Sequence, residues 1–356
     1  MKRIDFTSSD FARLKSTDCF IVDKTRYSYC LLKNGNQFVI NTAPYGFGKN
    51  LIVSMLENLL IGRRNLFTRM YVSNTDYDFA FHPVVSIRFS EFYSHPSLGV
   101  KEFVSEKLLS IATAYVVDIE LSEPLRMLQL LCNELANKYQ VEPATIIDDY
   151  DLPLIVSNKD NVDSYNFMKG FYSSLKGLIS FVHLVYLTGV YSPNMLGILT
   201  EHSNVFDVSA DKKYSGFVGF TENELEHLMH PLIRPNESPS ELRKWYGGYC
   251  FIPESQRVYN PYSIMRFMYY KKYGRYFDYS QSSCLPSWPK SDSEMLIADD
   301  SLYVSKGNLF MKEHLTDAEK LILLLNACYL TVDHVDEELF YLRIPNSDVQ
   351  FALNSL

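Results

Sequence analysis

The stretch QFVINTAPYGFGKNLIVSMLENLLIG, residues 37–62, decides the fold of this chain. It opens with a short apolar run, residues 37–44, which is typical of a buried strand that enters a turn. A glycine-containing loop follows, and apolar residues then recur at helical spacing up to a glycine that can end the helix. They are Leu51, Met55, Leu56 and Leu59, and the glycine is Gly62. Strand, glycine-containing loop and helix in this order are the context that a phosphate-binding loop requires.

The loop matches the phosphate-binding motif G-x-x-x-x-G-K-[ST] only in part. Gly48 and Lys49 fit, but Ala43 stands at the first glycine position and Asn50 at the hydroxyl position. Backbone N–H groups of such a loop and the N-terminus of its helix attract phosphate oxygens, and the lysine would reach the β and γ phosphates. The residues that we predict to contact a nucleotide are Tyr45, Gly46, Phe47, Gly48, Lys49 and Asn50.

Strand and helix patterns alternate over the first 212 residues. The apolar runs typical of further strands lie at residues 82–90, 144–151 and 181–190, with a weaker one at 204–211. The helical patterns between them lie at residues 98–118, 123–139 and 162–178. Such alternation indicates an α/β layer with a mostly parallel sheet. We therefore predict an α/β fold in which residues 1–212 form a P-loop NTPase-type core, a mostly parallel sheet with flanking helices.

After residue 212 the pattern changes to helices with N-terminal capping signals. Three pairs match the capping box S/T-x-x-E: Thr221 with Glu224, Ser238 with Glu241, and Thr316 with Glu319. We predict a helical lid over residues 213–290, with one helix stopping at Pro231 and a surface linker at 280–300. Residues 291–356 are predicted to be a winged-helix-like unit that ends in a hairpin, with strands at 329–332 and 340–344.

Polar residues end two of the predicted strands: Asp148 and Asp149 end one, and Thr188 ends the next. This is the order of Walker A, Walker B and sensor positions in additional-strand P-loop ATPases. In that arrangement Asp148 would hold Mg²⁺ through water, and Asp149 would orient or deprotonate the attacking water. Two simpler interpretations stay open: the acids, with Asp151, could be a strand end that faces solvent, and the Thr188 hydroxyl could bind the backbone.

The chain resembles the AAA-ATPase-like proteins, which occur in large bacterial sets and are often joined to a C-terminal PD-(D/E)XK nuclease-like domain. Segments that match the family follow its order over nearly the whole chain. They are FIVDKTRY (20–27), APYGFGKNLIVSML (43–56), IIDDYDLPL (146–154), YLTGVYS (186–192), GFTENEL (219–225), KWYGGYCF (244–251), VYNPYSI (258–264) and YLRIPNSDV (341–349). The resemblance implies a P-loop fold and ATP as the ligand. We do not expect nuclease activity, because the nuclease-like domain would follow the last of these segments and the sequence stops at Leu356.

The departures from the family pattern concern the predicted site. Ala43, Tyr45 and Gly46 stand where the family commonly has arginines, Asn50 replaces a threonine or serine, and Asp149 replaces a glutamate. These changes remove positive charge, a metal-binding hydroxyl and one methylene of reach. We therefore expect weak or lost ATP binding, little dependence on Mg²⁺ and little hydrolysis, so that the protein acts as a scaffold or switch. The alternative is an active ATP hydrolase of the same class.

Composition bears on partners and location. The net charge of −8 argues against a nucleic-acid partner, and the predicted hairpin tip, TVDHVDEELF (331–340), is acidic, which weakens a second alternative of nucleic-acid association through the C-terminal unit. The sequence contains no apolar run near the ~20 residues of a membrane helix, no signal peptide and no C-x-x-C pair. We expect a cytoplasmic protein with reduced cysteines, no membrane association and a protein partner that the sequence does not identify.

Three other segments have simpler structural interpretations. Asp23, Lys24 and Thr25 are expected to cap a helix. Residues 245–249 are expected to form a packing corner between lid and core, and His183 to be a core histidine in a strand.

Overall fold

A five-stranded parallel sheet forms the centre of the protein. The computed structural model describes residues 2–94, 98–156, 162–198, 205–226, 238–277, 295–298, 314–337 and 339–354. The strands are β1 (Phe38–Thr42), β2 (Val84–Arg88), β3 (Ala144–Asp148), β4 (Leu184–Gly189) and β5 (Phe206–Asp207). Their order across the sheet is β2-β3-β4-β1-β5, so β4 lies between the strand that enters the loop and the strand that ends in the acids. The predicted α/β class is confirmed.

Helices cover the sheet, as the alternating pattern predicts. They are α1 (Phe11–Ser16), α2 (Thr25–Lys33), α3 (Lys49–Leu60), α4 (Val100–Ala114), α5 (Pro124–Tyr139), α6 (Leu152–Val156) and α7 (Val162–Ser174). The apolar face of α5 is buried at Leu128, Cys132 and Leu135, while Leu125 is partly buried against the same core. Burial of such a face on the sheet supplies most of a helix's stability in water.

Short elements follow the sheet. They are β6 (Phe220–Thr221), α8 (Glu222–Glu224), α9 (Pro239–Tyr246), β7 (Val258–Tyr259) and α10 (Pro261–Tyr270). The capping box of Thr221 with Glu224 is formed. The one predicted at Ser238 is wrong: the Ser238 hydroxyl pairs with that of Ser240 at 2.6 Å, and Glu241 accepts a hydrogen bond from Trp245 Nε1 at 2.9 Å. The predicted stop at Pro231 lies outside the described residues.

The C-terminal residues form a small antiparallel sheet of three strands, together with two helices. The elements are β8 (Met295–Ala298), α11 (Asp317–Asn326), β9 (Thr331–Asp336), β10 (Leu339–Arg343) and α12 (Ser347–Leu353), and the sheet order is β8-β10-β9. The hairpin and the capping box of Thr316 with Glu319 are confirmed. The bounds predicted for the first hairpin strand, 329–332, are wrong, because β9 continues to Asp336 through its pairing with β10. The linker prediction is wrong for residues 295–298, because they pair with β10; the rest of 280–300 lies outside the described residues.

The C-terminal elements share their core with the central sheet. Leu323, Leu342 and Val349 belong to the same buried cluster as β1, β3 and β4. On α11 and just after it, Leu324 and Cys328 are buried, and Leu321 and Leu325 pack on that core. The boundaries at 212 and 290 and the winged-helix assignment stay predictions.

The described cysteines are free thiols: Cys19, Cys132, Cys250 and Cys328 are buried and Cys30 is half-buried. Over the ranges given above, no helix combines the length and apolar character needed to cross a bilayer.

Candidate functional site

The predicted phosphate-binding loop joins β1 to α3 with two glycines in the left-handed region. Gly46 has φ +79° and Gly48 has φ +88°, and α3 begins at the next residue, Lys49. Side chains other than glycine rarely adopt these angles. A Cβ placed on Gly48 would meet no described atom within 4 Å, so the backbone here faces open space. Consecutive N–H groups at a helix N-terminus, with room in front of them, suit a phosphate.

Lys49 is folded back onto its own loop. Its Nζ donates to the carbonyl oxygens of Ala43 at 2.6 Å and Pro44 at 3.0 Å, and lies 5.0 Å from the centre of the Tyr45 ring. Burial lowers the pKa of Lys49, while the nearby carboxylates of Asp149, Asp151 and Asp148 oppose that shift. The ammonium therefore sits against the loop with acids close by.

A row of polar residues crosses the sheet at the carboxyl ends of its strands. Asn41 pairs with Thr188, Thr188 with Asp148, and Asp148 with Arg88. The Thr188 hydroxyl is buried and donates to the Asn41 carbonyl oxygen at 2.8 Å. Thr188 thus lies beside the acid in the sensor position, but its hydroxyl is bound to the backbone, which matches the simpler interpretation.

Asp148 and Asn50 are joined directly. Asn50 Nδ2 donates to Asp148 Oδ2 at 3.2 Å, and the other oxygen of Asp148 accepts from the N–H of Asp149 at 3.1 Å. Burial, with the neighbouring Asp149 charge, raises the pKa of Asp148 to about 7, while Arg88 and Lys49 oppose the shift. Asp149 is buried and has φ +53°. Neither acid is a solvent-facing strand end, so that interpretation is wrong.

Asp151 holds the loop that follows β4. Its Oδ2 accepts from the N–H groups of Val190 at 2.7 Å and Tyr191 at 2.9 Å. Its Oδ1 is buried and has no hydrogen-bond partner within the described part of the chain. Burial raises the pKa of Asp151 to about 6. Sequence reasoning placed this residue at a turn and missed its role, which depends on backbone groups about forty residues away (39 and 40).

Arg88 is a second residue that sequence reasoning missed. Its Nη2 donates to Glu57 Oε2 at 2.5 Å, and Ser86 donates to the other oxygen of that carboxylate at 2.6 Å. Glu57 belongs to α3, the helix that starts at the loop. Arg88 is therefore fixed beside Asp148 by the helix of the loop. The signal available in the sequence was an arginine at the end of a predicted strand.

A cavity of about 290 Å³ opens from the loop. Its lining includes Tyr45, Lys49 and Asn50 from the loop and the start of α3. Most of the other lining residues are apolar; they include Phe6, Phe20, Val22, Phe220 and Met265, and we call this part of the lining the apolar end. The lining fits a ligand that has an anionic part and an apolar part. The N-terminal contribution carries no motif and was not predicted.

The loop is also bound to the elements that follow the sheet. The Gly46 carbonyl accepts from the N–H of Tyr262, at the start of α10, at 3.3 Å, and the Phe47 carbonyl accepts from Gly219 at 3.1 Å. The buried Phe47 ring packs edge-on against Tyr249 at 5.0 Å. The predicted packing corner at residues 245–249 therefore reaches the loop itself.

The capping interpretation of residues 23–25 holds, with an addition. Asp23 Oδ1 accepts from the N–H of Thr25 at 2.8 Å, at the start of α2. Lys24 instead makes a buried ion pair with Glu224 at 2.7 Å. His183 precedes β4 and stacks on His82 with ring centres 3.8 Å apart, so it is an edge residue and not a strand residue.

The residues of this site suit a nucleotide better than a metal ion. The open loop backbone, the lysine and the apolar end of the cavity match phosphates and a base. Among the described residues, no three His, Cys, Asp or Glu side chains group closely enough to hold a metal. Asn50 would have to turn its amide oxygen toward the ion, which breaks its hydrogen bond to Asp148.

Comparison with known proteins agrees with this geometry. A sequence model of the family described as "Predicted AAA-ATPase" matches residues 6–199, more than half of the chain and the whole of the loop and acid-bearing strands. An uncharacterized protein encoded in the vnfD 5' region of Azotobacter chroococcum mcd 1 is 24% identical over 367 residues, an alignment that covers 99% of this chain and 69% of that protein. The chain belongs to the predicted AAA-ATPase family.

Proposed function

We propose that this protein binds a nucleotide, with ATP as the first candidate, weakly and with little dependence on Mg²⁺, and hydrolyses it poorly. The observation that carries the proposal is the hydrogen bond from Asn50 Nδ2 to Asp148 Oδ2. In a site that uses Mg²⁺, a hydroxyl and a carboxylate present lone pairs to the ion. Here an N–H group points at the carboxylate and satisfies it without a metal.

The chain's own residues account for the rest of the binding. The N–H groups of Gly46 to Asn50 and the N-terminus of α3 would hold phosphate oxygens, since both present partial positive charge. Lys49 Nζ would leave its two carbonyl partners and bind the phosphates instead. The phosphates would give the ammonium charge-assisted hydrogen bonds in place of the two that it loses. The base would enter the apolar end of the cavity.

Poor hydrolysis follows from the acids. Asp149 is shorter than a glutamate by one methylene, about 1.5 Å, so its oxygens would lie farther from an attacking water. The raised pKa of Asp148, about 7, further reduces its charge near neutral pH. A carboxyl that is partly protonated holds a cation less well.

A switch or scaffold role is supported by the contacts of the loop. The carbonyl groups of Gly46 and Phe47 accept hydrogen bonds from Tyr262 and Gly219, which lie after the central sheet. A phosphate that reorganises the loop would therefore change the placement of α10. Such a coupling needs binding but not turnover.

A second candidate, ATP hydrolysis, is favoured by the assembly of Lys49, Asp148 and Asp149 at one edge of the sheet. Nucleic-acid binding has less support, because Asp333 of β9 engages both Arg257 and Arg343 at the base of the hairpin. Those arginines are the cations that a phosphate backbone would need.

The test is a calorimetric titration of the full chain with ATP, with and without Mg²⁺. We expect binding in the range of tens of micromolar to millimolar that changes little when Mg²⁺ is added. Lys49→Ala should abolish it, and the surface control Lys101→Ala should not, since Lys101 pairs with Glu123 and does not line the cavity. Tight binding that requires Mg²⁺, or binding that survives Lys49→Ala, would refute the proposal.

A further inference from the structure

Phe6 forms part of the cavity wall but belongs to no helix or strand. It lies in the segment before α1, is half-buried, and lines the apolar end of the cavity together with Phe20 and Met265. The segment is held by an isolated bridge between Arg3 and Cys19 and by the packing of Ile4 and Phe6 on a buried cluster. Phe6 is therefore an aromatic ring presented to the cavity by a short stretch of irregular backbone.

The ring of Phe6 is held by α10. It stands edge-on to Tyr262 with ring centres 6.3 Å apart and edge-on to Tyr269 at 5.2 Å, and it is tilted against Tyr270 at 6.1 Å. Edge-to-face pairs at these distances are favourable beyond the area that they bury. Tyr269 and Tyr270 are half-exposed, at 56% and 51%, whereas Phe6 packs on a buried cluster that contains Phe220 and Met265, so the contact lies at the edge of that core.

Arg266 lies at the centre of this cluster. Its guanidinium carbon is 5.6 Å from the ring centre of Phe6, and 5.3 to 5.6 Å from those of Tyr262, Tyr270 and Tyr276. Its Nη1 also donates to the Tyr262 hydroxyl at 3.1 Å. A guanidinium within about 6 Å of several ring faces holds those rings by cation–π attraction.

The same helix turn touches both ends of the cavity. The backbone N–H of Tyr262 donates to the Gly46 carbonyl of the phosphate-binding loop, while its ring contacts Phe6. Tyr262 therefore links the loop that would hold the phosphates to the aromatic ring that lines the apolar end. A nucleotide base is flat and stacks on aromatic rings.

We infer that Phe6 is the residue that stacks on the base of the bound nucleotide, and that Arg266 is the positioning residue that holds Phe6 in place. The inference rests on the proposed nucleotide binding and adds which residues bind each part of the nucleotide. Lys49 and the loop bind the phosphates of any ligand, whereas Phe6 makes the site select ligands that carry a base.

The experiment compares two probes, ATP and pyrophosphate, on the full chain. Phe6→Ala should weaken ATP binding about tenfold, the loss expected for one base–aromatic stack, and leave pyrophosphate binding unchanged. Phe6→Leu, which keeps bulk but loses the aromatic face, should show the same selective loss and covers the case in which Phe6→Ala does not fold. The matched control is Phe81→Ala, because Phe81 is an exposed phenylalanine that packs on Tyr139 away from the cavity.

Arg266 is tested through Phe6. Arg266→Met should weaken ATP binding about threefold, the size of a surface cation–π contact, and should have no effect on ATP binding in the Phe6→Ala background. The inference would be overturned if Phe6→Ala and Phe6→Leu weakened ATP binding and pyrophosphate binding equally, or if they left ATP binding unchanged. The proposed nucleotide binding would not be affected by either result. If the unmodified protein binds neither probe, the proposed function fails and the inference fails with it.

Discussion

Lys24 and Glu224, which are 200 positions apart, form an ion pair of 2.7 Å whose side chains are only 9% and 16% exposed. The ammonium also donates to the carbonyl of Gly216 at 2.7 Å, and Glu224 completes the capping box with Thr221. This pair joins the residue before α2 to the last residue of α8. Lys24 also lines the cavity.

Lys24→Met is expected to destabilise the protein by about 3–5 kcal/mol, because it leaves the Glu224 carboxylate without a partner in a site with little water. Urea unfolding measures the change. Lys101→Met is the matched control: Lys101 pairs with Glu123 at 2.9 Å, but the side chains are 47% and 73% exposed, so the loss should stay under about 1 kcal/mol. Equal losses of stability in the two variants would show that burial of the Lys24–Glu224 pair does not increase its contribution to the free energy of unfolding.

The stacked pair His82 and His183 predicts a loss of stability in mild acid. Burial and the neighbouring His82 ring lower the pKa of His183 to about 4, from an ordinary value of 6.5. The unfolded chain therefore binds a proton that the folded chain does not between these two values. Stability is then full above pH 6.5 and falls as the pH drops toward 4. Because His183 is only half-buried, we expect a loss of about 1–2 kcal/mol.

The check is the pH dependence of urea unfolding for His183→Gln. This variant should flatten the fall in stability between pH 6.5 and 4, because glutamine does not titrate. His314→Gln serves as the control, since His314 is exposed. A slope that is the same in His183→Gln and in the unmodified protein would assign the acid sensitivity to other groups.

The capping box predicted at Thr316 is formed and the one predicted at Ser238 is not, and this difference gives a third prediction. Thr316→Ala should cost about 1 kcal/mol, because its hydroxyl accepts the N–H of Glu319 at 3.3 Å and the Glu319 carboxylate accepts the N–H of Thr316 at 3.0 Å. Ser238→Ala should cost a few tenths of a kcal/mol at most, since its hydroxyl faces Ser240 in the structure. Thermal or urea unfolding measures both. A larger loss at Ser238 would contradict the hydrogen bonding described for α9.

The central sheet could be predicted because its signals are local. Each apolar run, such as that of β3, is continuous and bounded by polar or turn residues, and the family segments fix their order. β8 could not be predicted, because Met295–Ala298 lies in a polar context and becomes a strand only by pairing with β10, which comes more than forty residues later. The capping box failed at Ser238 because Glu241 has a competing partner, Trp245, one helical turn on.

The site could be predicted only along its loop and strand ends. The positions of Lys49, Asp148 and Thr188 follow from the order of strand, loop and helix, since parallel strands present their carboxyl ends at one edge. Two features depend on packing between segments that are distant in sequence: the orientation of Asn50 toward Asp148, and the packing of the Phe6 ring against α10. No spacing rule in the sequence encodes such contacts.

The exchange of Asn50 and Asp149 for the residues of an intact site gives the last prediction. Asn50→Thr removes the N–H that faces Asp148 and supplies a hydroxyl, and Asp149→Glu extends the second acid by about 1.5 Å. Each restored charge-assisted contact is worth about 1.5–3 kcal/mol, or roughly tenfold to a hundredfold in affinity. We therefore expect the double variant to bind ATP more tightly with Mg²⁺ than without it, whereas we expect little such difference for the unmodified protein in the same titration. Asn50→Ala is the control, because it removes the same hydrogen bond to Asp148 without adding a metal ligand. If the unmodified protein hydrolyses ATP at several turnovers per second, then Asn50 does not limit metal binding and the proposed metal-independent site is wrong. If the control gains the same Mg²⁺ effect as the double variant, then the hydrogen bond from Asn50 to Asp148 alone excludes the metal, and the proposed roles of the hydroxyl and of the longer acid are wrong.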